Sequence, residues 1–483
     1  MFWRNQEFCT PNRASKPSVS TEHEFSFRGA GHLNRRKVPG ASDSVDTLMD
    51  DPLTTHGSAH DRTQQAVRDF YDAHPYPPPV KDLDEYRQRW QDGGRRRAEF
   101  HLHWPGKPYR ADLHVLVAGC GTAQAAKHAL RQPESHVVGI DLSAESVRQT
   151  EALKRKYELT NLEVHQLPIE QVGELGRRFD KIVCTGVLHH LPDPEAGLRA
   201  LRAVLEPDGA LTLMVYAAYG RAGVTLLQDY CRRLGIGHSD QEIRDLAVTL
   251  TALPRAHPLA RLLAESPDFR SPDALADALL NPQERAYSVP QLFDWIECSG
   301  LRFGRWLRQA PYLAQCGSLA STPHAARLAK LPPREQYAAA ELFRGTMLRH
   351  SLIAYRDDRP GDCHLPRFDG DDWLGYRPLR LPETISVRER LPVGAAAALL
   401  NRSHSDPDLV LFVDAAELRL VEAIDGLRSI ADIVQRLAGP ASPRRKLREQ
   451  ARNLFQRLWW YDQVVFDTSH QDDVAGDKPR SKT

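Results

Sequence analysis

Between residues 114 and 216 the chain alternates short apolar runs with stretches whose apolar positions recur every three or four residues. The runs are 114–118, 136–140, 162–165, 181–185 and 210–216, of which Ala210-Leu211-Thr212-Leu213-Met214-Val215-Tyr216 is the longest. Near-continuous apolar runs of strand length predict strands buried on both faces, as in a parallel sheet. Between them, 143–157 reads as a helix capped by Ser143. The segment 194–205 reads as another, with Asp193 as cap and Pro194 in the first turn. The order is that of an open α/β sheet with helices on both faces.

After the fifth strand the pattern turns helical from about 221 to 285, then Ser288-Val289-Pro290-Gln291 forms a capping box ahead of an apolar helix. A sixth strand is expected at 301–307 and a seventh at 348–355. An insertion after strand five belongs over the carboxyl ends of the strands, where open sheets bind ligands. Upstream, residues 1–60 lack any sustained period and are expected to be a disordered leader. In 61–111 a helix with Val67, Phe70 and Tyr71 on one side leads into Ala73-His74-Pro75-Tyr76-Pro77-Pro78-Pro79, a stiff strap that presents Tyr76. The main domain spans 112–356. Residues 357–389, rich in Gly, Pro and Asp, read as a linker or extended wrap. The last part, 390–483, has helices at 415–424, after Ser429, and at 443–460, then a short strand at 464–466. That sequence of elements suggests a small winged-helix-like domain with its own core.

The first β-α-β unit carries the candidate chemistry. Gly119-Cys120-Gly121-Thr122 is a tight glycine turn after strand one, and Asp141 ends strand two, 22 residues beyond Gly119. That is where a carboxylate meets ribose hydroxyls, so a nucleoside is the expected ligand. Gln124 stands where a dinucleotide turn has its third glycine, and there is no lysine for a triphosphate.

The segment Phe179-Asp180-Lys181-Ile182-Val183-Cys184-Thr185-Gly186-Val187-Leu188-His189-His190-Leu191-Pro192-Asp193-Pro194 narrows this. With it and Glu206-Pro207-Asp208-Gly209 leading into strand five, the chain resembles the class I S-adenosylmethionine-dependent methyltransferases. More weakly, through Phe70-Tyr71-Asp72-Ala73-His74-Pro75-Tyr76-Pro77 and its C-terminal unit, it resembles bacterial methyltransferases with a regulatory C-terminal domain, some of which modify protein lysines. The resemblance implies a Rossmann-like seven-stranded sheet with a helical insertion, and S-adenosyl-L-methionine as cofactor with S-adenosyl-L-homocysteine as product. Cofactor-binding roles fall on Gly119, Cys120, Gly121, Thr122, Asp141, Leu142, Gln166, Leu167, Thr185, Tyr71 and Tyr76. The acceptor side falls to His190, His189, Tyr216 and Tyr219, with Arg221 nearby. Val117, Ala123 and Gln166 depart from the residues usual in that family. The expected acceptor is a nucleophilic N or O on a protein lysine or a small metabolite. A dehydrogenase is disfavoured by Gln124 and the His-His segment; a cofactor-binding sensor or scaffold without catalysis stays as the alternative.

Composition adds exclusions. Lysine plus arginine is 64 against 63 for aspartate plus glutamate, which gives no reason to expect nucleic acid. Arg444, Arg445, Lys446 and Arg448 read as a solvated helix face. No apolar stretch is long enough to span a membrane, and the seven cysteines lack ligand spacing, so a reducing cytoplasm and no metal are expected. Trp459 and Trp460 are expected to pack inside their own unit, on the main domain, or on a second copy, which leaves a homodimer open. The C-terminal unit is expected to regulate or present substrate while supplying none of the chemistry.

Overall fold

The computed structural model describes residues 59–265, 269, 271–359, 365–439 and 444–470. The leader expected over 1–60 lies outside the described residues except for its last two.

Seven strands form the main sheet: β1 (His114–Ala118), β2 (His136–Asp141), β3 (Leu162–Gln166), β4 (Phe179–Thr185), β5 (Leu205–Tyr216), β6 (Leu301–Trp306) and β7 (Arg349–Arg356). Their spatial order is β3-β2-β1-β4-β5-β7-β6. The first five run parallel, while β7 is antiparallel to both β5 and β6. The alternation of side chains explains why the central strands β1, β2, β4 and β5 read as largely apolar. In β1, Leu116 and Ala118 face one core and Val115 and Val117 the other. β5 starts earlier than its apolar run, because Leu205 already pairs with Phe179 across a register shift.

Helix ends follow the sequence closely. Ser143 accepts from the Ser146 N–H at 3.1 Å to start Ala144–Tyr157, and Asp193 accepts from the Ala196 N–H at 2.9 Å to start Pro194–Val204. Helix Val289–Cys298 opens with the Ser288 N–H donating to Gln291 Oε1 at 2.9 Å. Among the described residues the insertion has four α-helices, Ala222–Leu234, Asp240–Leu250, Ala260–Glu265 and Pro272–Leu280. Their apolar faces meet Phe70 of the N-terminal helix Ala59–Ala73, in a cluster with Val224, Leu227, Ile243, Leu246 and Leu275. This group forms a roof over the carboxyl edge of the sheet.

One polar group sits inside the apolar layers. Glu99, on helix Gly93–His103, accepts from Lys181 Nζ and from Arg131 Nη1, each at 2.8 Å, and His103 Nε2 meets Thr212 Oγ1 at 2.9 Å. Burial alone would raise the Glu99 carboxyl, but Arg131 and Lys181 hold it well below the usual range.

The C-terminal segment differs from expectation. Residues expected to be linker carry β8 (Arg377–Arg380) and β9 (Thr384–Val387). These pair with β12 (Val464–Asp467) and with β10 (Ala397–Asn401), which also pairs with β11 (Leu411–Val413), all antiparallel. The stretch is rich in turn residues, and its strands are only four residues long, so no period was visible. Helices Ala415–Glu422, Ile430–Leu437 and Arg444–Trp460 complete a cluster centred on Leu420, Ile433, Leu454 and Phe455. Arg444, Arg445 and Lys446 are exposed. Trp459 packs on this cluster and Trp460 against Ala310, Cys316 and Leu409.

That unit is also bolted to the sheet. Asp462, fully buried, meets Arg305 Nη2 at 3.2 Å and accepts from the Ala310 N–H at 3.0 Å and from His404 Nε2 at 3.0 Å. Leu379 and Val465 pack on Ala98 of helix Gly93–His103. Backbone contacts accordingly gather the described residues into one unit.

Candidate functional site

At the carboxyl edge of the sheet, under the helical roof, lies a cavity of about 580 Å³. That falls within the roughly 300–1,000 Å³ of small-molecule sites. Its floor is the glycine turn. Gly119 and Gly121 have φ of +68° and +51°, the left-handed region that a side chain resists, and a Cβ on Gly119 would lie 2.2 Å from Val187 Cγ2. The Gly119 and Cys120 N–H groups both donate to the Ile140 carbonyl at 2.9 Å, which pins the turn to the end of β2. One residue on, Asp141 accepts from the Gly121 N–H at 2.8 Å through Oδ2 and from the Ser143 N–H at 3.0 Å through Oδ1. Each oxygen keeps a further lone pair for a ligand at the cavity wall. Burial pushes the Asp141 carboxyl up, and the two N–H bonds oppose that.

Beyond Asp141, Leu142, Leu167, Pro168 and Ile169 make an apolar slot. A carboxylate at the tip of β2 beside an apolar slot is a donor set that fits a ribose and its base. Gln124 and Thr185, hydrogen-bonded to each other at 3.1 Å, close the adjoining wall. The proline strap crosses the glycine turn: Thr122 Oγ1 donates to the Pro77 carbonyl at 2.8 Å, and Tyr76 and Pro77 reach the cavity.

The other half of the cavity is polar and aromatic. His190 Nδ1 lies 2.7 Å from the Gln283 carbonyl, so its N–H is used there and the lone pair falls on Nε2. Asp277, from helix Pro272–Leu280, accepts from Tyr71 OH at 2.9 Å and faces Tyr216 OH at 3.5 Å. Burial raises the Asp277 carboxyl above its usual range. The Arg221 guanidinium stacks 3.6 Å over the Tyr216 ring and is paired with Glu284 at 2.7 Å.

Eleven of the residues expected from the sequence meet on this wall: Gly119, Gly121, Asp141, Leu142, Leu167, Thr185, Tyr71, Tyr76, His190, Tyr216 and Arg221. Five do not. Cys120 is fully buried behind the turn, against Gly139, and burial pushes its thiol well up. Thr122 is buried too, its hydroxyl used by the strap. Gln166 is exposed and donates its amide to the Leu142 carbonyl at 3.2 Å. His189 lies fully buried between the His190 and Tyr216 rings, each 4.2 Å away between centroids. Among the described residues neither of its ring nitrogens has a partner, and burial pulls the imidazole well below its usual value. Tyr219 is 46% exposed and off the wall.

The structure also brings in residues that the sequence reading passed over. Asp277 left a trace, a lone carboxylate inside Ala274-Leu275-Ala276-Asp277-Ala278-Leu279-Leu280. Arg68, Arg308, Arg349 and the 403–406 loop left none, since each reaches the wall only through tertiary folding.

With this geometry in view, the core can be set beside known proteins. Residues 116–211 match the family model described as a methyltransferase domain. An uncharacterized protein of Synechococcus sp. is 33% identical over 259 residues, half of this chain and 60% of that one. The ubiquinone biosynthesis O-methyltransferase of Acinetobacter baylyi is 27% identical over 100 residues, 20% of this chain and 42% of that one. The chain thus spans 42–60% of these curated relatives' lengths. Among solved structures, PKMT2 from Rickettsia typhi in complex with AdoHcy aligns with a TM-score of 0.56 at 16% identity, over 81% of this chain and 77% of that one. At that identity the likeness is one of fold. It extends well beyond residues 116–211.

Proposed function

We propose that the protein is an S-adenosylmethionine-dependent methyltransferase acting on a nucleophilic N or O of an acceptor held under the helical roof. One observation carries this reading. A single cavity runs from the Gly119–Gly121 turn and the Asp141 carboxylate to His190, Tyr216 and Asp277. It therefore joins a nucleoside-type site to a set of proton-accepting groups.

In this reading Asp141 takes the ribose hydroxyls, and Leu142 and Leu167 sandwich the base. The turn and the Gln124–Thr185 pair flank the amino-acid end. When bound, S-adenosylmethionine supplies an activated methyl whose C–S bond breaks as the acceptor lone pair bonds to carbon. The chain's own tasks are alignment, water exclusion and removal of one proton from the acceptor. His190 suits the last, because Gln283 fixes the tautomer that leaves Nε2 as acceptor. Tyr71, Tyr216 and Asp277 form a hydrogen-bonded rim that can orient the acceptor. His189 supports this rim from behind by packing its ring against Tyr216, as a positioning residue. The strap and the helix Ala59–Ala73 close the mouth over the cofactor end.

The test is calorimetric titration of the full chain with S-adenosylhomocysteine and, separately, NAD. Saturable binding of the first alone supports the reading. Binding of NAD alone, or of neither, ends it. Transfer of label from methyl-labelled cofactor to an acceptor then distinguishes an enzyme from a cofactor-binding sensor.

A further inference from the structure

The cavity does not stop at the proton-accepting rim. Past Tyr216 it continues along the start of β7 and the end of β6 to the loop 403–406. Arg349 is the register partner of Tyr216 across β5 and β7, so their backbones lie one strand spacing, about 5 Å, apart. Arg308 follows β6, beyond the Leu307 N–H that donates to the Ser351 carbonyl at 2.9 Å. Both arginines line this end, with Ser351, Ser403, His404 and Ser405.

Among the described residues, neither the Arg308 nor the Arg349 side chain makes a hydrogen bond or an ion pair; Arg308 is half-buried and Arg349 is exposed. Nearby buried arginines do: Arg305 with Asp462, Arg344 with Asp406 and Asp408, Arg221 with Glu284. The carboxylates that act on Arg308 are Asp462 and, after it, Glu383, and neither pairs with it; Asp462 takes Arg305, the Ala310 N–H and His404. Asp406, on the same wall, takes Arg344. Burial, and then the like charge of Arg349, pull the Arg308 guanidinium below its usual value. His404 lines the same end: its side chain is 3% exposed, its Nε2–H donates to Asp462, and Nδ1, without a partner among the described residues, is left as an acceptor for a donor hydrogen of a ligand. Two cations brought together beside hydroxyls make a site whose mutual repulsion is offset when an oxyanion binds. Guanidinium groups match carboxylate and phosphate oxygens in paired hydrogen bonds.

We infer that this end of the cavity is a subsite for the carboxylate or phosphate of a small acidic methyl acceptor, gripped by Arg308 and Arg349. This rests on the methyltransferase reading and narrows it. The same charges repel the ammonium of a lysine side chain, which disfavours a protein lysine as acceptor.

The experiment uses the full chain saturated with S-adenosylhomocysteine, with inorganic phosphate and malonate as probes followed by calorimetry. The variants are Arg308→Gln, Arg349→Gln and the double variant, with thermal melting alongside. Failure of the unmodified protein to bind S-adenosylhomocysteine overturns the methyltransferase reading and is seen before any anion is added. The proposal expects saturable binding of at least one anion, weakened at least tenfold in the double variant. S-adenosylhomocysteine affinity should stay within about twofold, and melting should be unchanged or raised because repulsion is relieved. No anion binding by the unmodified protein, or equal binding by the double variant, overturns the subsite. A lower melting temperature with unaltered anion binding overturns it too, since the arginines would then be structural.

Discussion

Asp141 shows how far single residues can be read. Its place at the tip of an apolar run after a glycine turn is visible in sequence, and the structure adds why it holds still: two backbone N–H groups fix its carboxylate. In the methyltransferase reading, Asp141→Asn keeps an acceptor for only one of those groups, sets an NH2 against the other and removes the charge. Charge-assisted bonds are worth about 1.5–3 kcal/mol, so S-adenosylhomocysteine affinity should fall roughly 10- to 150-fold by calorimetry, and melting should fall as well. His189 and His190 show the limit of such reading. Adjacent in sequence and identical in type, they are told apart only by the Gln283 carbonyl and the Tyr216 ring, from elements 93 and 27 residues beyond His190 and His189. His190→Asn should lower kcat by about 10²–10⁴-fold, the usual worth of a general base, with the S-adenosylhomocysteine Kd within twofold. His189→Asn should instead lower thermal stability. Equal kcat losses in both variants with unchanged melting would show that the two share the role.

Elements with a period, the strands of the main sheet and the capped helices, were legible because burial on both faces writes itself into every position. Elements of four residues, β8 and β9, were not, because a strand that short has no period to show and its partner lies far along the chain. Helix Gly93–His103 illustrates a third case. Its polar sequence hides that Glu99, His101 and His103 are its buried face. The His103 imidazole is lowered to about 3, first by burial and then by Lys181. An ordinary histidine titrates near 6.5. Between those values the unfolded chain takes up a proton that the folded chain refuses, so stability falls as pH drops from about 6.5 toward 3. Glu99, depressed by its two cations, keeps its contribution above about pH 4.3 and loses it only below. Urea midpoints should therefore be lower at pH 5 than at pH 7.5, and the difference should shrink in His103→Gln. Glu99→Gln at pH 7.5 should cost about 3–5 kcal/mol, because Lys181 is left buried without its counter-charge.

At the scale of the whole molecule the sequence pointed to a C-terminal unit able to stand alone, and its own apolar core is there. What no local pattern displayed is Asp462, whose partner Arg305 lies 157 residues away. Removing one partner of a buried pair costs about 3–5 kcal/mol. Asp462→Ala should lose stability of that order in urea unfolding, and a chain ended near residue 385 should lose solubility. A soluble, cooperatively melting truncation would show that the bolt is dispensable. The loop 403–406, which belongs to that unit, forms part of the cavity wall. Occupancy at one end of the molecule is therefore thermodynamically joined to order at the other. A ligand at a hundred times its Kd stabilises the closed arrangement by about 2.7 kcal/mol. Where cleavage follows transient opening, the rate at which a protease nicks residues 365–470 becomes a gauge of how full the cavity is. The C-terminal unit thereby reports on a site whose glycine turn lies some 280 residues before that loop in the chain.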